Sequence, residues 1–146
     1  MGLDEIIGVA SGRIERLEPA VAHAEITEGA VLVDIRSEVS RVREGVVPGA
    51  LPVPRTVFEW RLDPASEWRS PHAPGADQRV VVLCDHGFSS ILAAATLVQL
   101  GFTRAADVIG GFEAWRDAGL PVAPARPTAP GELPGMGPPD GAGAWR

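Results

Sequence analysis

Two uninterrupted apolar runs, Ala30-Val31-Leu32-Val33 and Val80-Val81-Val82-Leu83, constrain this chain more than any other feature. A strand with one wet face alternates apolar and polar residues. A run without alternation is buried on both faces, as in a parallel sheet covered by helices. A third, weaker run is Asp107-Val108-Ile109, ending in Gly110-Gly111. Between the second and third runs, residues 90–100 are rich in Ala and Leu and stop at Gly101, which predicts a helix by composition and by terminator. Strand, helix, strand is the unit from which a parallel sheet is built. The fold class is therefore α/β.

The remaining patterns are shorter. Leu3, Ile6, Ile7 and Ala10 have helical spacing and stop at Ser11-Gly12, and residues 14–17 read as a short strand. Pro19 opens a second helical pattern through Ala20, Val21, Ala24 and Ile26, closed by Gly29. Residues 112–118 predict a further helix, closed by Gly119 with Pro121 beyond. Trp60, Trp68 and Trp115 read as core or packing residues, and residues 63–79 as a long loop of the kind that often carries function. Residues 123–146 are dominated by Pro and Gly, with Trp145 as the one sticky side chain, and predict a mobile tail. The 146 residues thus divide into an N-terminal helical extension (1–13), one domain (14–122) and a tail (123–146).

Charge narrows the partners. The formal net charge is −6, and all 13 basic residues are arginines dispersed along the chain. That argues against nucleic acid or an anionic membrane recognised by bulk charge. Apolar stretches fall far short of the roughly 18 residues of a membrane span. Asp4 and Glu5 sit where a secretory signal carries basic residues, and Ile6 where a myristoylation signal needs Ser or Thr. A single cysteine excludes an internal disulfide and a multi-cysteine metal site. A lone thiol suits a reducing compartment, so a cytoplasmic location and no metal are expected.

That cysteine is the chemical centre of the sequence. Cys84 ends a buried strand; Asp85-His86-Gly87-Phe88 form a short loop, and Ser89-Ser90 are placed to cap the following helix. The crevice at the carboxyl ends of parallel strands is where such sheets bind ligands. Loop N–H groups and a helix N-terminus can converge there into a cradle for negative charge, stabilising sulfur as an anion. A lone cysteine is often only a small buried hydrophobe. Strand end, glycine loop and serine-capped helix together favour a nucleophile instead. His86 can serve as acid/base, as an anion contact, or simply be exposed; His23 and His72 read as solvated bystanders. Asp34 and Arg36 read as a supporting charge pair holding the loop after the first apolar run, structural rather than catalytic.

The order of these pieces resembles the rhodanese homology domain across residues 14–122. Val33-Asp34-Ile35-Arg36 is similar to its first strand-end motif, and Gly45-Val46-Val47-Pro48-Gly49-Ala50 to its Gly-His-Ile-Pro-Gly-Ala turn. Cys84-x-x-Gly87-x-x-Ser90 is similar to its active-site loop. Gly110-Gly111-Phe112-x-x-Trp115 with Gly119-x-Pro121 is similar to its closing motif. The resemblance implies a single domain with a mostly parallel five-stranded sheet flanked by helices. It implies sulfur transfer through a persulfide on Cys84, without metal or organic cofactor. The implied partners are a small sulfur donor and a thiol, cyanide or protein acceptor.

The sequence departs from the family pattern at two points. Val46 replaces the usual histidine, and Ser89 stands where many members carry arginine. With Asp85 also in the loop, a thiosulfate dianion is offered only backbone N–H groups, the Ser89 and Ser90 hydroxyls, and His86. The alternative is a non-catalytic interaction or regulatory module on the same fold. A cysteine phosphatase or arsenate reductase needs an arginine six positions after the cysteine to clamp an oxyanion, and Ser90 occupies that position.

Overall fold

In the computed structural model, which describes residues 1–141, the apolar runs become neighbouring strands. The runs form β2 (Val31–Asp34) and β4 (Val80–Leu83), and the weaker run begins two residues earlier than its pattern suggests, as β5 (Ala105–Val108). With β1 (Glu15–Leu17) and β3 (Leu51–Pro52) they make a five-stranded, all-parallel sheet in the order β1-β5-β4-β2-β3. Lack of alternation means what it should: every residue of β4 and β5 is buried.

Alternate residues feed two cores. On one face Val33, Val80, Val82 and Cys84 pack with Ala93, Ala94 and Leu97 of α5 (Ser89–Gln99) and with Phe58 and Leu62 of α4 (Phe58–Leu62). On the other face Leu32, Val81, Leu83 and Val108 pack with Ala22 of α2 (Pro19–Thr27) and with Phe112 and Trp115 of α6 (Gly111–Asp117). Helix α1 (Leu3–Ser11) lies outside α5, touching it through Ala10, Ile91 and Ala95. Helix α3 (Glu38–Glu44) was not expected from the sequence. It is capped by Ser37, whose Oγ accepts the Ser40 N–H, and its exposed Val39 and Val42 hide it from an amphipathic reading.

Two expectations are corrected. Trp115 is fully buried, but Trp60 and Trp68 are 57% and 56% exposed and belong to no core. Both lie on a segment held by polar contacts: Arg61 donates to the carbonyls of Trp68 and Pro134, so the backbone is fixed while the indoles face water. The second concerns residues 123–141, which lie along the domain. Ala123 pairs with the buried Val46 in an antiparallel bridge, each N–H reaching the other's carbonyl at 2.8 Å. Asp140 is fully buried, its carboxylate 2.6 Å from Arg41 Nη2 and its backbone bonded to Gly49 and Ala50. Thr128 bonds Glu38 of α3. The segment has few apolar side chains, as its composition requires, yet its polar groups find partners on the domain. Trp145 lies outside the described residues. Among the described residues, no helix is long and apolar enough to cross a membrane.

The topology positions a site. The chain moves from β2 to β3 toward one edge of the sheet and from β4 to β5 toward the other. β2 and β4 are neighbours, so the crevice beyond their carboxyl ends is the point where strand order reverses, the favoured ligand site of such sheets. β2 ends in Asp34 and β4 runs into Cys84.

Candidate active site

Cys84 sits at that reversal point, 4% exposed. Its Sγ accepts a hydrogen bond from the Gly87 N–H at 3.1 Å and donates to Ser90 Oγ at 3.2 Å. The loop curls because Gly87 adopts φ +84°, a conformation side chains rarely take, with its open side against Gly110: a methyl group there would lie 2.5 Å from Gly110 N. Gly111 (φ +64°) is packed as closely, and a methyl on it would meet the Cys84 carbonyl oxygen at 2.5 Å. In exchange the start of α6 grips the loop: Phe112 N–H donates to Cys84 O at 2.8 Å and Glu113 N–H to Asp85 O at 3.2 Å. Gly87 and the Gly110-Gly111 pair, far apart in sequence, thus form one backbone joint.

The serines are placed differently from the capping arrangement their sequence suggests. Phe88 is the N-cap residue of α5 and no side chain caps the helix. Ser89 is exposed on the first turn, while Ser90 is fully buried and turned back to the cysteine. Its hydroxyl accepts from Cys84 and donates to Asp107 Oδ2 at 2.8 Å. Around this core, Asp85 is half-buried and Phe88 is 66% exposed at the loop tip. His86 is exposed and its Nδ1 lies 2.7 Å from Glu113 Oε2, so it projects outward rather than onto the sulfur. His23, read from sequence as a bystander, packs edge-on against Trp115 with ring centroids 5.6 Å apart.

Asp34 and Arg36 form a pair with both side chains at 0% exposure. Arg36 Nη2 bonds Asp34 Oδ2 and Gly45 O, each at 2.8 Å, tying the end of β2 to the turn before β3. Its guanidinium also lies 3.9 Å above the centre of the Phe112 ring, the residue whose N–H holds Cys84 O. The pair therefore supports the loop from the side and does not contact the sulfur.

Sequence reasoning missed two residues of this site. Asp107 is fully buried in β5 and Arg16 stands opposite it in register on β1. Arg16 Nε and Nη2 grip Asp107 at 2.9 and 3.1 Å, and Nη2 also donates to Gly87 O at 2.8 Å. The available signal was a lone carboxylate inside the run Ala105-Ala106-Asp107-Val108-Ile109, which calls for a buried partner.

Chemically, the arrangement presents one sulfur to a crevice, a backbone N–H to share negative charge on it, and a hydroxyl oxygen that accepts its proton. The chain matches the rhodanese-like domain model over residues 18–118. It is 33% identical over 96 residues to a sulfurtransferase of Allochromatium vinosum, covering 66% of this chain and 80% of that protein. It is 38% identical over 102 residues to the thiosulfate sulfurtransferase GlpE of Stutzerimonas stutzeri, covering 70% and 84%. Among solved structures, a protein of unknown function from Rhodopseudomonas palustris, described as a possible tyrosine phosphatase, superposes with a TM-score of 0.78 at 36% identity, over 84% of this chain and 95% of that one. By the matched span, the motifs and the fold they share, this chain belongs to the rhodanese-like domain family.

Proposed function

We propose that this chain is a sulfurtransferase that carries sulfane sulfur as a persulfide on Cys84, with residues 14–122 as its catalytic unit and the reducing cytoplasm as its setting. The observation that carries the reading is the Gly87 N–H directed at the Sγ of the chain's one cysteine, at the reversal point of the sheet. The names of the relatives at 33% and 38% identity agree with it.

In the first half-reaction the Cys84 thiolate attacks the outer sulfur of the donor. A new S–S bond forms, the donor's own bond to that sulfur breaks, and its electron pair leaves with the remainder of the donor. From thiosulfate the leaving group is sulfite. The negative charge moves from Sγ to the outer sulfur of the persulfide, toward the loop. In the second half-reaction a thiol, cyanide or a protein nucleophile attacks that outer sulfur, and the thiolate departs with the electron pair of the S–S bond. No redox partner or metal is required. With Asp85 in the loop and Ser89 in place of an arginine, the site suits a donor less anionic than thiosulfate.

A phosphatase reading, suggested by the description of the Rhodopseudomonas palustris protein, finds little support in the site itself. The position six residues after the cysteine holds Ser90, hydrogen-bonded to a carboxylate, and Arg16 is engaged with Asp107 and Gly87 O.

The test is direct. Incubation with a sulfane-sulfur donor should add the mass of one sulfur atom to Cys84 and support sulfur transfer to cyanide, and Cys84→Ser should abolish both. Equal transfer by the wild-type chain and Cys84→Ser would overturn the reading.

A further inference from the structure

Behind the sulfur runs a closed ring of polar groups, and the reaction leaves its Ser90, Asp107 and Arg16 without a role. Cys84 Sγ donates to Ser90 Oγ, Ser90 donates to Asp107, and Asp107 is held by Arg16. Arg16 also donates to Gly87 O, and the Gly87 N–H returns to Sγ. A carboxylate in a wholly buried strand position is costly to keep unless it is paired, and a fold needs none there: its neighbours Ala106 and Val108 fill their places as plain core residues.

The hydrogen count gives this ring a direction. A hydroxyl has one hydrogen, and a carboxylate accepts only. Asp107 therefore takes the Ser90 hydrogen, and what Ser90 offers to Cys84 is an oxygen lone pair. A lone pair is a good partner for a thiol S–H and a poor one for a thiolate. The inner sulfur of a persulfide, its charge moved outward, makes no such demand. We propose that Asp107 is a positioning residue acting through Ser90: it holds the hydroxyl as an acceptor toward Cys84 and thereby disfavours the bare thiolate relative to the thiol and the persulfide. The proposal rests on the reading of Cys84 as the sulfur carrier. Its consequence for that reaction is asymmetric, because a destabilised thiolate is the stronger nucleophile and the poorer leaving group. Asp107 thus favours the loaded state and slows its discharge.

The other charged groups around Cys84 are Asp85 and the exposed His86–Glu113 pair on the outer side of the loop, and the Asp34–Arg36 pair beside it. They stay constant in the comparison that tests the idea. The chain has one cysteine and no tyrosine, so far-ultraviolet thiolate absorbance during a pH titration follows Cys84 alone.

Asp107→Asn keeps the shape but can donate its amide N–H to Ser90, freeing the Ser90 hydrogen for sulfur. At a fixed pH below the transition it should raise the thiolate fraction about threefold to tenfold, tenfold being one pH unit of displacement. In a Ser90→Ala background the same substitution should change that fraction by less than about twofold, since the link is gone. If Asp107→Asn fails to fold, Arg16→Gln, read in the same two backgrounds, leaves Asp107 more dependent on Ser90. It should lower the thiolate fraction only where Ser90 is present. Discharge of preloaded Asp107→Asn by cyanide should be faster than wild type. An unchanged or lowered thiolate fraction in Asp107→Asn, an equal effect with and without Ser90, or slower discharge would each overturn the proposal. If the wild-type chain never takes up sulfur while the titrations behave as described, the sulfur-transfer reading fails and the Ser90–Asp107 link stands.

Discussion

At Gly111 a methyl group would press on the carbonyl oxygen of Cys84 at 2.5 Å and on the Asp85 carbonyl carbon at 2.7 Å, both backbone atoms that cannot swing aside. Gly111→Ala should therefore displace the loop and cost sulfur uptake by Cys84, measured as persulfide yield at equal protein, while far-ultraviolet circular dichroism still reports the sheet. Arg36 fails in a different way. Its removal strands the Asp34 carboxylate at zero exposure, and breaking a buried pair from one side costs about 3–5 kcal/mol. Arg36→Ala should show that loss in denaturant unfolding, with the midpoint moved and the slope unchanged. Ser89 is the exposed position where charge can be added without touching the core. Ser89→Arg should lower KM for thiosulfate at low ionic strength and lose that benefit at high salt, because an exposed cation acts through a screened field.

Among the elements, the segment after α6 departs most from its composition. A stretch of Pro and Gly has little apolar surface to bury, and by that measure residues 123–146 should add nothing to stability. Over 123–141 they instead supply hydrogen-bond partners: Ala123 to Val46, Asp140 to Arg41, Gly49 and Ala50, and the Pro134 carbonyl to Arg61. Along this strap a cavity of about 160 Å³ is lined by Arg36, Arg41, Arg126 and Glu132. Deleting residues 123–146 should uncover buried Arg41 and Val46 and lower the melting temperature by several degrees, at roughly 2–4 °C per kcal/mol for a chain of this size. An unchanged melting temperature would show that the strap only rests on the domain.

For the molecule as a whole the strap introduces a pH dependence. Burial pushes the Asp140 carboxyl above its ordinary 3.8, against the opposing pull of Arg41. The folded state then holds that proton more tightly than the unfolded chain does. Stability from this group is complete below the unfolded value and is lost as pH rises through the raised folded value. Glu15 and Glu132 are shifted the other way, by Arg79 and Arg126, and their contributions disappear as pH falls. Glu15 is 70% exposed, so its share is small. Unfolding free energies of wild type and Asp140→Asn, measured from acid to neutral pH, should diverge in slope above about pH 4, with the wild type losing stability relative to the variant as pH rises.

The same chain shows which properties are local and which are not. The strands β2 and β4, the helix α5 and the place of Cys84 at a strand end were legible in the sequence. Each depends on a run of neighbouring residues whose apolarity, spacing or terminator carries its own signal. The capping role expected of Ser90 and the core role expected of Trp60 and Trp68 were not borne out, because composition reports a residue's capacity and not its surroundings. The elements α3 and β3 went unread, since seven and two residues hold too little periodicity to register. Ser90 meets Asp107 across 17 positions, Arg16 meets Asp107 across 91, and Arg41 meets Asp140 across 99. Local sequence signals that a buried charge needs a partner; only the tertiary structure, which brings β1 beside β5 and residues 123–141 past α3 and the turn before β3, decides which partner it gets.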